Sequence, residues 1–516
     1  MIAKKIFPRL LVVVALGVCI SPVVAVEIDW LGGDGAWGDG ANWPGGILPT
    51  NEDFVTLPNG VTITSSGESN IAEEMITRAK LRITDGLFTV VGTIDAFDEF
   101  IISPSSEVSA GRIFMQAAGL LDLQMDAIVN VTEGVFSSGK VDVRDGAVMN
   151  AESFDNFNQW DVRAGGSVIA NSMINHTGAT VDVFQASSVF DINGNLTNNG
   201  NLNIKTGASA QIDSIENNAT VEASGASQLV GNSVNNNGLL SIAGTGSNWQ
   251  ADIVTNFSGI VSVTDKATSA LGTVDNRGAI DVDDATLSVN DGVNTATGMV
   301  SLTNEAELAV VNLLSNFGQV TIDESSQLLS NTFQQLDGET MVAGGSIGAN
   351  GSASTTISGG TLIGNGAISG DLSIINAGLL TPDGGPSDPT AQFSVSDNLL
   401  LGASFNVDLG GTATNDFDRI VVMGDADLGG VLNVDLVAGF APLLGDFFDI
   451  IVAENVVGDF DSLFLPVLSN GLALEGINGG SFYRLQIVAA PVPIPVIMPL
   501  FVAALIGLSA RRKAIN

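Results

Sequence analysis

The sequence predicts an all-β protein whose central part is a parallel β-helix, a solenoid of stacked coils with about 20 residues in each coil. Three observations predict it. The 516 residues include 61 glycines and many valines, isoleucines, threonines, serines and asparagines, a composition that favours strands and turns. A short unit of asparagine, glycine and two alternating apolar residues recurs every 19 to 21 residues. Hydrophobic residues make up 45% of the chain and charged residues only 14%, which indicates a large folded core.

The repeated unit marks each coil at its glycine position. This position falls at Gly119, Gly139, Asn158, Ala179, Gly200, Ala219, Gly238, Gly259, Gly278, Gly298, Gly318 and Gly338. An apolar pair follows two and four residues later, as Val141/Val143, Trp160/Val162, Val181/Val183, Leu202/Ile204, Val261/Val263, Ile280/Val282, Val300/Leu302 and Val320/Ile322. Such alternation places both side chains on one face of a strand. Because one unit cannot bury that face alone, the units are expected to stack around a continuous core.

Asparagines recur at one place in the unit, which we expect to be a corner of the coil. They are Asn198/Asn199, Asn217/Asn218, Asn236/Asn237, Asn276 and Asn316. Asparagine tolerates a left-handed backbone and can hydrogen-bond to its copy in the next coil. The alternative is a β-sandwich with unrelated turns, and the constant spacing argues against it.

The N-terminal residues 1–25 have the pattern of a secretory signal peptide. Basic residues precede an apolar run over 10–20, and small residues end at Ala25, after which cleavage is expected. Cys19 is the only cysteine, and a lipoprotein would need a small residue where Val18 stands. Cleavage after Ala25 would therefore leave a protein with neither disulfides nor a thiolate metal site.

Residues 26–58 are predicted to form an N-terminal cap. Trp30, Trp37 and Trp43 are three of the five tryptophans, and they would cover the open end of the first coil. An aromatic platform that stacks on sugar rings is the alternative. Asp34 and Asp39 lie among glycines as in a calcium-binding turn, but that motif binds by repetition and occurs once here.

The β-helix repeats are predicted to span 59–380, a proline- and glycine-rich linker 381–390, and a C-terminal β-rich module 391–490. Four stretches in this part resemble the end of autotransporter-type β-helix passengers: Gly359 to Gly370, Asp416 to Val422, Leu428 to Val434 and Gly445 to Ile451. The resemblance implies a fold and does not by itself assign an activity.

The tail 491–516 contains the box Val492-Pro493-Ile494-Pro495, an apolar run over 496–510 and the basic end Arg511-Arg512-Lys513. It resembles the PEP-CTERM sorting tail, although Ile494 stands where that family has an acidic residue. The resemblance implies a short transmembrane helix, transient contact with the inner membrane, an exosortase-type processing enzyme as partner, and display or release at the surface of a Gram-negative bacterium. A permanent anchor and a buried terminal strand are the alternatives, since the run is shorter than the roughly 20 residues that a bilayer requires.

Residues capable of chemistry are few. His176 is the only histidine and lies at a repeat corner, where we expect a hydrogen-bonded turn residue rather than a catalytic base. No catalytic residue is predicted, and sites built on two histidines or on several cysteines are excluded by count.

Four aspartates occupy the outward position between the apolar pairs of successive coils: Asp122, Asp142, Asp161 and Asp182. Stacked coils would bring them about 5 Å apart, which is close enough to hold a hard cation such as Ca²⁺. With Arg144 and Arg163 beside them, they could also form the site of a polysaccharide lyase or glycoside hydrolase. We expect instead a solvated acidic face that the arginines partly offset.

The sequence therefore predicts an exported, non-enzymatic protein, a structural or adhesin-like β-helix associated with extracellular matrix or biofilm exopolysaccharide. Its formal net charge of −38 excludes nucleic acid as an expected partner, because polyanions bind basic surfaces. No cofactor is expected, apart from Ca²⁺ at the aspartates. A carbohydrate-active enzyme and a specific glycan-binding module are the alternatives.

Overall fold

The computed structural model describes residues 26–67, 70–348, 353–384 and 390–491. The chain divides into two units, unit 1 up to Gly194 and unit 2 from Asn195, and the change occurs within one strand. Among the described residues, no helix has the length and apolar character that a membrane crossing would require. The signal peptide at 1–25, with its cleavage at Ala25, and the sorting tail, with Val492, Pro493, Ile494, Pro495, Arg511, Arg512 and Lys513, lie outside the described residues.

Unit 1 contains two short 3-10 helices, Gly40–Asn42 and Pro44–Gly46, in its N-terminal segment. Its strands are β1 (Val26–Asp29), β2 (Gly35–Ala36), β3 (Asp53–Leu57), β4 (Thr62–Ser65), β5 (Asn70–Ala72), β6 (Glu74–Thr77), β7 (Lys80–Ile83), β8 (Gly86–Ala96), β9 (Glu99–Ile102), β10 (Ser106–Met115), β11 (Leu120–Leu123), β12 (Ile128–Ser137), β13 (Lys140–Arg144), β14 (Val148–Asn156), β15 (Gln159–Arg163), β16 (Ser167–Asn175), β17 (Thr180–Phe184) and the start of β18 (Val189–Asn198).

Unit 2 continues with β19 (Asn201–Lys205), β20 (Ser209–Asn217), β21 (Thr220–Ser224), β22 (Gln228–Asn236), β23 (Leu239–Ala243), β24 (Asn248–Asn256), β25 (Ile260–Thr264), β26 (Thr268–Asn276), β27 (Ala279–Asp283), β28 (Thr286–Asn294), β29 (Met299–Thr303), β30 (Glu307–Asn316), β31 (Gln319–Ile322), β32 (Gln327–Gln335), β33 (Glu339–Val342), β34 (Ser346–Ile347) and β35 (Ser354–Ile357).

The remaining strands of unit 2 are β36 (Thr361–Gly364), β37 (Ala367–Ile368), β38 (Asp371–Ile374), β39 (Leu379–Pro382), β40 (Gln392–Val395), β41 (Leu399–Leu401), β42 (Ser404–Leu409), β43 (Arg419–Val422), β44 (Asp425–Leu428), β45 (Val431–Leu436), β46 (Phe447–Val452), β47 (Asn455–Gly458), β48 (Ser462–Phe464), β49 (Leu472–Asn478) and β50 (Phe482–Ala489).

One coil consists of a short strand, a turn, a long bent strand and a second turn, as β21 and β22 show. In β21, Val221 and Ala223 point into the core and their neighbours point outward. In β22 the alternation breaks after Gly231, and two outward residues follow before burial resumes at Val234. A coil of about 20 residues therefore encloses its core with one short strand and one long strand whose alternation is interrupted.

Successive coils pair in parallel, which confirms the predicted parallel β-helix as the architecture of each unit. In unit 1 the short strands β11, β13, β15 and β17 pair residue for residue, and the long strands β8, β10, β12, β14 and β16 form a second sheet. In unit 2 the alternating pattern is the same, for example from β21 to β23 to β25 and from β20 to β22 to β24. Every apolar pair predicted from the repeat is buried.

The turns after many of the short strands contain a residue with positive φ. In unit 1 such residues are Asp145, Ala164 and Gln185, and in unit 2 they include Thr206, Asp265, Asp284 and Asn304. None of these is glycine, and a left-handed conformation is costly for most other residues. The stacked coils therefore hold their turns in a conformation that the local sequence does not favour.

Parallel pairing continues on both sides of the predicted linker 381–390. Leu379 in β39 pairs with Ser404 in β42, and β42 pairs with β45 over its whole length. Strand pairing changes at the end of the described chain, where β50 runs antiparallel to both β46 and β49. This antiparallel group covers the last coil; the domain boundaries from the sequence stay a prediction.

Candidate functional site

The four predicted aspartates form a continuous ladder on the short strands of unit 1. Asp122 in β11 pairs with Asp142 in β13, Asp142 with Asp161 in β15, and Asp161 with Asp182 in β17. Each stands between two core residues of its strand, so strand alternation points it outward. The sequence therefore predicted correctly which residues share this face. Asp122 and Asp142 are nevertheless almost completely buried.

Arginines from the following coils cover the two buried carboxylates. Arg144 donates from Nε and Nη2 to the two oxygens of Asp122, at 3.0 and 3.1 Å. Arg163 donates in the same way to Asp142, at 3.0 and 2.7 Å. These hydrogen bonds raise the pKa of both guanidinium groups above its ordinary value. Two-pronged pairing is the strongest geometry of arginine with carboxylate, so each pair fixes one coil on the next.

The other two aspartates are held by neighbours on the same sheet. Lys140 lies 2.6 Å from Asp161, and the Gln159 amide donates to both Asp161 and Asp182, at 2.6 and 2.9 Å. The side chains that would have to act as acid, base or metal ligand are thus engaged by cations and amides of the coil stack. A cation could enter here only by displacing these donors.

No cluster of three or more histidine, cysteine, aspartate or glutamate side chains within the described ranges has the geometry to hold a metal ion. The Ca²⁺ prediction for the ladder stays a prediction. Asp34 accepts the backbone N–H of Thr62 at 2.7 Å, and Asp39 accepts that of Ala41 at 3.0 Å. Both carboxylates of the N-terminal segment thus hold local backbone.

His176 lies at a corner of unit 1, as the sequence predicts. Its ring stacks on Phe157 with centroids 3.8 Å apart, and Nε2 lies 3.0 Å from a carboxylate oxygen of Asp155. The backbone N–H of Ala179 bonds to the carbonyl of His176 and closes the turn. This is the geometry of a turn residue packed against the adjacent coil.

The three tryptophans of the N-terminal segment form a buried cluster. Trp43 contacts Trp30 and Trp37 edge to face, with centroids 4.9 Å apart in both cases, and Trp37 packs in the same way on Phe88. Their indole N–H groups bond to backbone: that of Trp43 to Trp37 at 2.7 Å and that of Trp30 to Gly33 at 3.0 Å. Sugar stacking needs an accessible ring face, whereas these rings are covered, as in a cap.

Buried asparagines form the longest polar array of the molecule's described part, and the sequence predicted it incompletely. In unit 2 each side-chain amide donates to the amide oxygen of the next coil, at 2.8–2.9 Å, through Asn198, Asn217, Asn236, Asn256, Asn276, Asn294 and Asn316. In unit 1, Asn156 donates to Asn175 in the same way. In each predicted pair the first asparagine points inward and joins this ladder.

The second asparagine of each pair points outward and forms a shorter, exposed ladder. Asn237 donates to Asn218 at 3.1 Å, and Asn218 donates to Asn199 at 3.0 Å. Asn256 and Asn294 also belong to the buried ladder, and the sequence analysis missed both. Their position at the end of a long strand, directly before the corner, is the sequence feature that could have identified them.

A buried carboxylate in unit 2 also escaped the sequence analysis. Asp418 accepts the backbone N–H groups of Ala391 and Asp408 at 2.7 and 2.8 Å and so joins three neighbouring segments. Burial raises the pKa of Asp418 to about 8, although the two hydrogen bonds act in the opposite direction. Tyr483, which the sequence places far from the ladder, is buried in the C-terminal group and donates to Asp459 at 3.0 Å.

Comparison with known protein families and with curated proteins finds no match for this chain.

Proposed function

We propose that this protein is an exported, non-enzymatic β-solenoid that serves as a structural or adhesive element of the extracellular matrix, in contact with exopolysaccharide. The observation that supports this proposal best is the state of the aspartate ladder. The residues that could perform carbohydrate chemistry, Asp122 and Asp142, are buried under Arg144 and Arg163. Such side chains hold coils together, and a passive role requires no more of them.

Export and sorting belong to the same proposal. The N-terminal signal peptide directs the chain out of the cytoplasm, and the tail resembling PEP-CTERM holds it at the inner membrane until an exosortase-type enzyme removes the basic end. The acidic composition keeps the released protein soluble and away from nucleic acid. Ca²⁺ bridging between acidic faces and anionic polysaccharide is a further part of the proposal.

Mass spectrometry of the mature protein tests the sorting step. We expect an N-terminus after Ala25 and a C-terminus that lacks Arg511, Arg512 and Lys513. An intact basic end would make the tail a permanent anchor and would contradict sorting by cleavage.

A polysaccharide panel tests the passive role. We expect no release of reducing sugar and no absorbance of unsaturated uronates, whereas the protein should co-sediment with at least one exopolysaccharide. Activity that disappears in both Asp142→Ala and Asp161→Ala would contradict the proposal and would favour a β-helix lyase or hydrolase. Calorimetry without a Ca²⁺ signal at millimolar concentration would remove the bridging step alone.

A further inference from the structure

The C-terminal antiparallel strands bring two loops beside the point where the chain leaves the last strand. Because β50 is antiparallel to β46 and β49, the starts of those two strands lie at the end of β50. The N–H of Gly445, just before β46, bonds to the carbonyl of Ile487 at 3.0 Å. On the other side, the N–H of Ala490 bonds to the carbonyl of Gly471, just before β49, at 2.7 Å.

Both loops expose large apolar side chains at this end. Leu443 and Leu444 precede β46 and are 69% and 65% exposed, while Val467 precedes β49 and is 99% exposed. Isolated exposed apolar residues are common, but these three flank one chain exit. The packing of unit 2 gives them no role.

The same end is almost free of charge. Asp446 is the only charged residue in the segments 437–448, 462–474 and 487–491, although the whole chain carries a formal charge of −38. Its carboxylate accepts the backbone N–H of Leu443 at 2.7 Å. An anionic bilayer repels acidic surfaces, and the two loops present little negative charge to it, the nearest exposed carboxylate of β49 being Glu475 in register with Gln486.

The sequence beyond the exit supplies the partner. Only the residues 491–495 separate Ala490 from the apolar run 496–510, and five residues span at most about 18 Å even when fully extended. Whenever that run is in a bilayer, the two loops are within reach of the lipid headgroups. We propose that Leu443, Leu444 and Val467 insert into the interface of that bilayer and dock the end of unit 2 on the lipid surface. This inference rests on the proposed membrane stage of the tail.

A polarity-sensitive fluorophore on the full-length chain tests the docking. Cys19→Ser removes the only native thiol, and Leu444→Cys or Val467→Cys then provides a single labelling site. Met423→Cys is the matched control, because Met423 is 73% exposed and directly follows β43, which pairs with the far end of β46. The chains are incorporated into vesicles of phosphatidylethanolamine and phosphatidylglycerol, and flotation and quenching by brominated lipids are measured.

We expect the protein to float with the vesicles. The label at Leu444→Cys and at Val467→Cys should show a blue-shifted emission and be quenched at least severalfold more strongly than the label at the control. The label at Met423→Cys should show a water-like emission. Vesicle-bound protein with water-like emission at all three sites overturns the docking and leaves the membrane stage intact. Protein that does not float with the vesicles overturns both.

Discussion

The middle position of the short strand carries different chemistry in the two units. In unit 1 it holds four consecutive aspartates, from Asp122 to Asp182, each in contact with a cation or an amide. In unit 2 the same position holds Asn203, Glu222, Ser241, Ser262, Asp281, Ser301 and Thr321. Unit 2 relies instead on the buried asparagine ladder at its corner. The outward array is thus ionic in unit 1, whereas the inward asparagine ladder is longest in unit 2 and is present in unit 1 at Asn156 and Asn175.

This difference indicates where a solenoid can place the polar side chains that align successive coils. A buried amide can satisfy both its donor and its acceptor within a column of identical neighbours, so it can lie in the core. A column of carboxylates repels itself and needs cations between its members, which only the outer face can supply. The following substitutions test this division of roles, beginning with the largest expected effect.

Asn236→Ala breaks the neutral ladder in the middle. The side chain accepts from Asn217 and donates to Asn256 and to the carbonyl of Ile260, all in a buried environment. The substitution leaves the buried amides and carbonyl that contacted Asn236 without this partner, so we expect a decrease of about 3 kcal/mol in the free energy of unfolding of unit 2. Amide hydrogen exchange in β22 and β24 measures it locally.

Asn237→Ala is the matched control, since it removes a neighbouring amide from the exposed ladder. We expect a loss below about 0.5 kcal/mol for this variant. Equal losses for the two variants would show that burial of the ladder is not what stabilises unit 2.

Arg144→Gln breaks the ionic ladder of unit 1. It leaves the buried carboxylate of Asp122 without its two-pronged partner, and we expect a loss of about 2 kcal/mol, because the pair retains some solvent contact. Urea unfolding followed by hydrogen exchange in β11 and β13 measures it.

The double variant Asp122→Asn/Arg144→Gln should recover part of that loss, since no charge is then left unpaired. A double variant as unstable as the sum of the two single variants would contradict a direct ion pair. In that case the ladder would stabilise through packing alone.

The same Asp→Asn change should lower the free energy of unfolding in unit 1 and raise it in unit 2. At Asp142 it removes the partner of Arg163 and should destabilise by about 1 kcal/mol. At Asp281, whose pKa is raised by burial, it should stabilise at neutral pH by a fraction of a kcal/mol, discounted for partial exposure. Thermal melting of both variants measures the two signs.

The pH dependence of the Asp281→Asn effect follows from the raised pKa. The contribution of Asp281 to stability is fully present below about pH 4, where aspartate is protonated even when unfolded, and is lost as pH rises through the folded pKa of this residue. The gain of the variant should therefore vanish below about pH 4. A gain that is constant with pH would exclude ionisation as its cause.

Gly292→Ala should give the smallest effect. A cavity of about 20 Å³ lies in the core of unit 2 beside Gly292, and an added Cβ would lie 2.9 Å from the flexible end of Leu314 and 3.9 Å from Val289. We expect a gain of about 0.5 kcal/mol from reduced chain entropy and improved filling. A loss in thermal melting would show that Leu314 cannot move into the remaining space.

The sequence predicted the solenoid well because its signal repeats many times. The period, the buried apolar pairs and the common face of the four aspartates all follow from strand alternation and a constant coil length. Contacts between coils were harder to predict. That Arg144 hydrogen-bonds to Asp122 of the previous coil, and lies farther, at 3.9 Å, from Asp142 in its own strand, depends on side-chain reach across the ladder.

Features that occur once were missed for a related physical reason. Asp418 is buried because three distant segments converge on it, and no local pattern distinguishes it from an exposed turn aspartate. The change to antiparallel pairing at β50 likewise depends on where the last coil ends. Neither leaves a periodic trace in the sequence.

The uniform direction of the buried asparagine bonds has a consequence for how such a gene can change in length. Every donor points toward the following coil, and Asn236 follows Asn217 by 19 residues. A deletion of residues 218–236 would put Asn217 directly before Asn237, in the place that Asn236 held. The side-chain amide of Asn217 could then donate to the amide oxygen of Asn256, as that of Asn236 does now. Loss or duplication of whole coils is therefore compatible with the ladder, whereas an insertion of a few residues within a coil would interrupt it.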